Sequence, residues 1–199
     1  AMGDTTNRFL GLARAVSEAP STRELDILLT AGEQISMSLL SMAIAAEGEE
    51  AVSLTGAQAG IVTTEAHNKA QIIEVRPHRV QAELSQGKIP VVAGFQGLSY
   101  AGEVTTLGRG GSDTSAVALA SALKAERCEI YSDVDGIYSS DPRLVPNARR
   151  IGEIGYEAMQ EMARQGARVL NADAVEFARR SGTEIRALST FEEGPGTIV

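Results

Sequence analysis

The sequence predicts an α/β fold with a mainly parallel sheet in a single domain, and three observations carry that prediction. Short apolar runs alternate with helical patterns of ten or more residues, as strands joined by helical crossovers do. Residues 89–95 form a continuous apolar run, the pattern of a strand buried on both faces. The chain has 199 residues, 43% hydrophobic and 22% charged, which is enough apolar material for one core.

Composition also excludes several classes. Eighteen Lys and Arg stand against 26 Asp and Glu, for a net charge of −8, so a nucleic-acid partner, which needs a basic face, is not expected. A nucleotide site needs only a few local cations and stays open. Aromatic residues are 4% with no Trp, which disfavours base-stacking platforms. The single cysteine, Cys128, allows no intrachain disulfide and argues against a cysteine-built metal site. No apolar run approaches the ~18 residues of a membrane span, and no signal-peptide pattern opens the sequence. A cytoplasmic protein with no membrane partner is expected.

The elements follow in order. Residues 1–7 are polar and turn-rich with no strand before them, so a preceding segment is expected. Phe9, Leu10, Leu12, Ala13 and Val16 then mark a helix that ends near Pro20. Residues 22–46 are helical, with Leu25, Leu28, Leu29, Ile35, Leu39, Leu40 and Ile44 spaced by about three or four. Gly32 interrupts them at a cost of about 1 kcal/mol relative to Ala, marking a break or a close approach. Strands are expected at 51–55, 71–75, 89–95, 129–132 and 184–188. Helices are expected at 78–86, 112–125, 155–166 and 171–181. Cys128 falls at a buried strand and is expected in the core.

Ligands of such sheets sit beyond the carboxyl ends of strands. The strongest candidate is residues 105–114, a glycine-rich loop opening onto a helix. Glycines let backbone approach a ligand, and the first helical N–H groups are unpaired donors. Ser112 or Asp113 is expected as the N-cap, and Arg109 offers a rigid fork for a carboxylate or phosphate. The loop is an anion site or an ordinary turn and cap; three glycines with an arginine favour the anion. It matches neither the P-loop nor the dinucleotide pattern.

Residues 131–143 form the second candidate, with three Asp, two Tyr and an Arg. A hairpin turn is expected at Asp135-Gly136. A calcium loop is not, because the glutamate at its twelfth position is missing. Glu33 beside Gly32 is a substrate contact or a solvated carboxylate. Residues 94–97, Gly-Phe-Gln-Gly, are a ligand loop or a turn. His67 and His78 lack partners at metal spacing, so no metal site is expected.

These segments together resemble the aspartate kinases of the amino-acid-kinase family. The resemblance rests on T-x-G-E at 30–33, S-L-T-G-x-Q-A-G-I at 53–61, G-F-Q-G at 94–97 and T-T-L-G-R-G-G-S-D at 105–113. It continues in Y-S-D-V-D-G-I-Y-S-S-D-P-R at 131–143 and G-A-R-V-L at 166–170, and covers essentially the whole chain. It implies a three-layer sandwich, a mainly parallel sheet with helices on both faces. It implies ATP, Mg²⁺ and L-aspartate as ligands and 4-phospho-L-aspartate as product, on the route to lysine, threonine and methionine. A homo-oligomer is implied for the full-length protein.

The same resemblance implies residue roles. Thr6, Glu33, Arg109, Gly110, Gly111 and Ser112 match substrate-binding positions, and Arg109 and Asp113 are the catalytic candidates. Tyr131, Ser132, Asp133, Tyr138, Arg143, Arg168 and Val169 match nucleotide-binding positions. Arg168 stands where lysine is common, and Asn171 where histidine is frequent. Residues 1–199 correspond to a catalytic domain. The family's N-terminal strand and lysine-glycine loop are expected to be missing, as are its C-terminal regulatory domains, so residues 1–199 alone are expected to be inactive. The alternatives are a non-catalytic nucleotide- or amino-acid-binding module, or another kinase of the same fold.

Overall fold

A computed structural model describes residues 2–108, 110–167 and 169–199. The chain divides into two compact units, Ala1–Ser115 and Ala116–Val199.

The first unit begins with two helices, α1 (Thr5–Val16) and α2 (Thr22–Ala46). It continues through β1 (Ala51–Leu54), β2 (Ile61–Thr63), β3 (Ile72–Val75), α3 (His78–Ser85), β4 (Ile89–Val92), β5 (Gln96–Ser99) and β6 (Val104–Thr106). β1 pairs with β4 in parallel. A second sheet runs β3-β2-β5-β6, with β2 parallel to β5 and the two outer pairings antiparallel. α4 (Gly111–Leu123) starts in this unit, and the division falls inside it, after Ser115.

α2 runs unbroken through Gly32, so the break that this glycine could mark is absent, and the burial of Gly32 agrees with the other reading, a close approach. Burial explains this: Asp26, Leu29, Thr30 and Gly32 are the buried residues of a helix that packs against β1, β4 and β6. Tertiary packing outweighs a single unfavourable glycine. α2 also corrects the expectation about apolar runs. An 18-residue window within it has a mean hydropathy of 1.4, long and apolar enough to cross a membrane by length and composition. Counting consecutive apolar residues missed this because Ser, Thr, Gly and Gln interrupt the run.

The second unit holds β7 (Arg127–Ser132), α5 (Tyr156–Arg164), α6 (Ala172–Ser181), β8 (Glu184–Ser189) and β9 (Thr197–Ile198). β7 and β8 are parallel, joined by the crossover that carries α5 and α6, and β9 adds antiparallel. The remainder of α4 contributes Val117 and Ala120 to a core with Cys128, Ile137, Met159, Val175 and Ile185. Asn171 caps α6, its side chain accepting from the Asp173 N–H at 2.8 Å. Gly182 ends the helix in the left-handed conformation.

The α/β alternation is as expected. Parallel pairing is confined to strands separated by crossovers (β1 with β4, β2 with β5, β7 with β8), and neighbours joined by shorter connections pair antiparallel. The β1-β4 sheet is therefore parallel and the other two are mixed.

Candidate active site

In the first unit, the glycine-rich loop is fixed from both ends. β6 ends at Thr106, and the Leu107 N–H donates to the Phe95 carbonyl at 3.0 Å. Phe95 has φ +67°, and its N–H donates to the Ser115 hydroxyl at 2.9 Å. That hydroxyl in turn donates to the Gly111 carbonyl at 2.7 Å. The Gly-Phe-Gln-Gly segment and the start of α4 are thus stitched together by one serine. Gly111 is buried, and a Cβ there would lie 2.6 Å from the Leu107 Cβ, so only glycine allows this closure. Gly110 is exposed with φ +75°.

α4 begins at Gly111, so Ser112 and Asp113 lie inside its first turn rather than at the N-cap. Ser112 is exposed and Asp113 half-buried. The helix dipole favours an anion at this end, although the Gly111 N–H already donates to the Gly108 carbonyl at 3.1 Å. Arg109 lies outside the described residues.

Glu33 is half-buried on α2. About one turn further on, the Ser36 hydroxyl accepts from the Met2 N–H at 3.1 Å. This ties the N-terminal segment to the same stretch of helix. Thr6 follows, exposed in the first turn of α1, where the preceding Thr5 hydroxyl donates to the Met2 carbonyl at 2.7 Å. Thr6, Glu33, Gly110, Gly111 and Ser112 therefore all belong to the first unit.

In the second unit, a cavity of about 400 Å³ opens beyond the carboxyl ends of β7 and β8. Tyr131, Leu188 and Phe191 supply its apolar lining, and Phe191 is 82% exposed. The Ser132 carbonyl accepts from the Thr190 N–H at 2.8 Å, joining the two loops. The Ser189 hydroxyl accepts from the N–H groups of Phe191 and Glu192, at 3.1 and 3.2 Å, shaping the turn that presents Phe191. The Tyr131 hydroxyl donates to Glu129 at 3.0 Å, which raises its pKa above the usual phenol value.

Other expected nucleotide residues sit away from this cavity lining. Tyr138 donates to the Asp135 carboxylate at 3.0 Å, which raises its pKa. Arg143 is 85% exposed and pairs with Asp141, whose carboxyl that guanidinium holds below its usual range. Asp133 is exposed. Val169 packs against the unit's core. Arg168 lies outside the described residues. The expected hairpin at Asp135-Gly136 does not form: pairing closes between Tyr138 and Arg150, because Ser139 and Arg149 supply the backbone bond.

Sequence reasoning gave no ligand role to Leu188, Ser189 or Phe191, although their place at and just after the end of a predicted strand was the available signal. Within the 94–97 segment, Gln96 opens β5 and is buried at 3% exposure against Gly56. Its Nε2 has no partner among the described residues. Among these residues no group of three His, Cys, Asp or Glu is arranged to hold a metal.

A glycine-bounded helix start after a strand, in the first unit, and a crevice beyond two parallel strands, in the second, are each features of ligand-binding α/β proteins. The model of the Amino acid kinase family matches residues 1–189, and the chain belongs to that family. The aspartokinase of Mycolicibacterium smegmatis is 56% identical over 200 residues, covering all of this chain and 48% of its own length. The crystal structure of the aspartate kinase from Synechocystis is 48% identical with a TM-score of 0.86, over all of this chain and 32% of that one. E. coli aspartokinase III, solved in complex with aspartate and ADP, is 33% identical with a TM-score of 0.87, over 97% of this chain and 44% of that one. The chain spans about half the length of the curated relatives it matches.

Proposed function

We propose that the protein containing this chain is an aspartate kinase. It transfers the γ-phosphoryl group of ATP to the side-chain carboxylate of L-aspartate, giving 4-phospho-L-aspartate and ADP. This step opens the route to lysine, threonine and methionine. The observation that carries the reading is the stitched loop of residues 105–113 opening onto α4, in a chain about half identical to aspartokinases.

The chemistry needs no general base, because a side-chain carboxylate is already ionised at neutral pH. One carboxylate oxygen bonds to the γ-phosphorus as the bond to the β,γ-bridging oxygen breaks, and ADP leaves with that electron pair. Catalysis reduces to positioning and to neutralising charge on the transferring group. Arg109 holds the substrate's α-carboxylate through its two-donor fork. Glu33 pairs with the substrate ammonium. Thr6, Gly110, Gly111 and Ser112 complete the amino-acid subsite, with the positive end of the α4 dipole turned to the anion.

The nucleoside rests in the cavity beyond β7 and β8, against Tyr131 and Phe191. Ser132, Asp133, Tyr138, Arg143, Arg168 and Val169 belong to the surrounding nucleotide segment. Arg143, already paired with Asp141, turns to phosphate when nucleotide binds. Mg²⁺ is held elsewhere by one or two carboxylates plus substrate phosphates rather than by an all-protein cage. Asp113, half-buried in the first turn of α4, and Asp133, exposed after β7, are each a carboxylate of the kind that pattern needs. The ion would neutralise charge on the phosphates.

The protein is cytoplasmic on this reading and acts as a homo-oligomer. The exposed apolar side chains Ile35, Leu39, Leu40 and Met42 of α2 support an association face. The test is ADP release by the full-length protein with L-aspartate, L-glutamate or uridylate as acceptor. Aspartate-dependent release is expected. Nucleotide binding without release under any acceptor would assign a binding module instead.

A further inference from the structure

Asp26 is wholly buried, at 0% exposure, and the reading above gives it no role. Its Oδ1 accepts from the Thr106 hydroxyl at 2.5 Å. Both its oxygens accept from the Asn68 N–H at 3.1 Å. Its Oδ2 meets the His67 Nδ1 at 2.8 Å. One side chain therefore gathers three segments remote in sequence: α2, residues 67–68 and the end of β6. A buried carboxylate is costly unless its oxygens are satisfied, and an apolar side chain could fill the same space. The carboxylate is explained by what it fixes.

What it fixes is the entrance to the glycine-rich loop. Thr106 is the last residue of β6, directly before Leu107 and Gly108. The Thr106 carbonyl also accepts from the Ala70 N–H at 2.9 Å. Asn68, with φ +62°, lays its carbonyl against Gly108, where a Cβ would stand 3.1 Å away. The loop thus leaves the strand with both its side-chain and backbone bonds made to segments that Asp26 anchors. Asp26 also lies seven residues before Glu33 on one continuous helix. Seven residues turn a helix through almost two full turns, so the two share a face, about 10 Å apart along the axis.

We propose that Asp26 is a positioning residue that sets the spacing between Glu33 and the glycine-rich loop, and so the geometry of the amino-acid subsite. The proposal rests on the aspartate kinase reading. Asp26 touches no substrate; it acts through Thr106 and through residues 67–68.

The test uses the full-length protein with Thr106→Val, which removes the donor, Thr106→Ser, which keeps it, and Asp26→Asn. Thr106→Val and Asp26→Asn should raise the KM for aspartate by roughly ten- to a hundred-fold, the scale of a misplacement of about 1 Å. The KM for ATP should stay near wild type, and Thr106→Ser should restore the aspartate KM. Hydrogen exchange of the amides of residues 107–111 should quicken in both impaired variants and not in Thr106→Ser. Should these variants fail to fold, His67→Gln at the rim of the cluster should show the same changes at smaller size. Folded variants with equal changes in both KM values, or none, and unaltered exchange at 107–111 would overturn the proposal. If the wild-type protein releases no ADP with aspartate, the aspartate kinase reading fails, and the exchange measurement alone then decides whether Asp26 holds the loop.

Discussion

On the proposed reading, Glu33 and Arg109 divide the recognition of an amino acid between an anion and a cation, and each assignment has a separable signature. Glu33→Gln keeps the shape of the side chain and removes its charge, so the KM for aspartate should rise far more than that for ATP. Equal effects on both substrates would return Glu33 to the role of a solvated carboxylate. Arg109→Lys keeps charge but loses the planar fork. Truncating a desolvated charge pair costs about 2–5 kcal/mol, so Arg109→Ala should reduce kcat/KM for aspartate accordingly. An Arg109→Ala enzyme with unchanged steady-state constants for aspartate would remove the arginine from the site. On the nucleotide side, Phe191 projects into the cavity beyond β7 and β8. Stacking of a base on an aromatic ring is worth about 1–3 kcal/mol, so Phe191→Ala should weaken ATP binding by that amount and leave aspartate untouched.

At the scale of elements, the connection between α5 and α6 carries a pH dependence. Glu176 on α6 accepts from Arg179 and Arg180 of its own helix and from Gln160 of α5. Arg179 first, then Arg180 and Gln160, hold its carboxyl down at about 2. In the unfolded chain the same group titrates near its ordinary value of about 4.3. Its depressed value stabilises the fold fully above that ordinary value, and the contribution is lost as pH falls from there towards about 2. Glu176→Gln should therefore flatten the acid limb of a plot of melting temperature against pH. Parallel curves for variant and wild type would contradict the assignment. The pairing of β2 with β5 makes a second prediction. A Cβ on Gly97 would lie 2.6 Å from the Thr63 Cγ2 and 2.8 Å from the Ile61 carbonyl oxygen. Gly97→Ala should destabilise the protein by about 1–3 kcal/mol, the range for overpacked cores, read as a lowered melting temperature.

Those same strands show where sequence reasoning stopped. β4 was legible as a strand, but it ends at Val92 instead of running to Phe95, whose φ is +67°, and its Ile89 is exposed instead of buried. β5 and β6 are short and bury Gln96, Ser99, Thr105 and Thr106, so a polar reading took them for loop. They are held by contacts that no local pattern encodes, such as the Thr63 and Thr105 hydroxyls at 2.5 Å. Asp26 was missed for the same reason, since its three partners come from distant segments. α2 was legible end to end because its period is local. The break that Gly32 could mark was not found because packing, absent from the sequence, decides it. In the nucleotide segment, the motif at 131–143 was visible, but the separation of Arg143 and Tyr138 from the cavity lining was not. That separation depends on pairing of Tyr138 with Arg150 and of Arg143 with Asp141.

For the molecule as a whole, membership of the Amino acid kinase family fixes phosphoryl transfer as the chemistry to test, and the acceptor is the open variable. A fold does not by itself settle the substrate, which the site must decide. On the proposed reading, the loop after β6 and Glu33 of α2, both in the first unit, receive an amino acid with a second carboxylate. Phosphorus NMR of the full-length protein with ATP, Mg²⁺ and L-aspartate tests this most directly. A new acyl-phosphate resonance that grows in step with ADP, and that hydroxylamine discharges to a hydroxamate of the side-chain carboxyl, is the predicted result. ADP formed without an acyl phosphate, or an acyl phosphate formed only with a different acceptor, would contradict it.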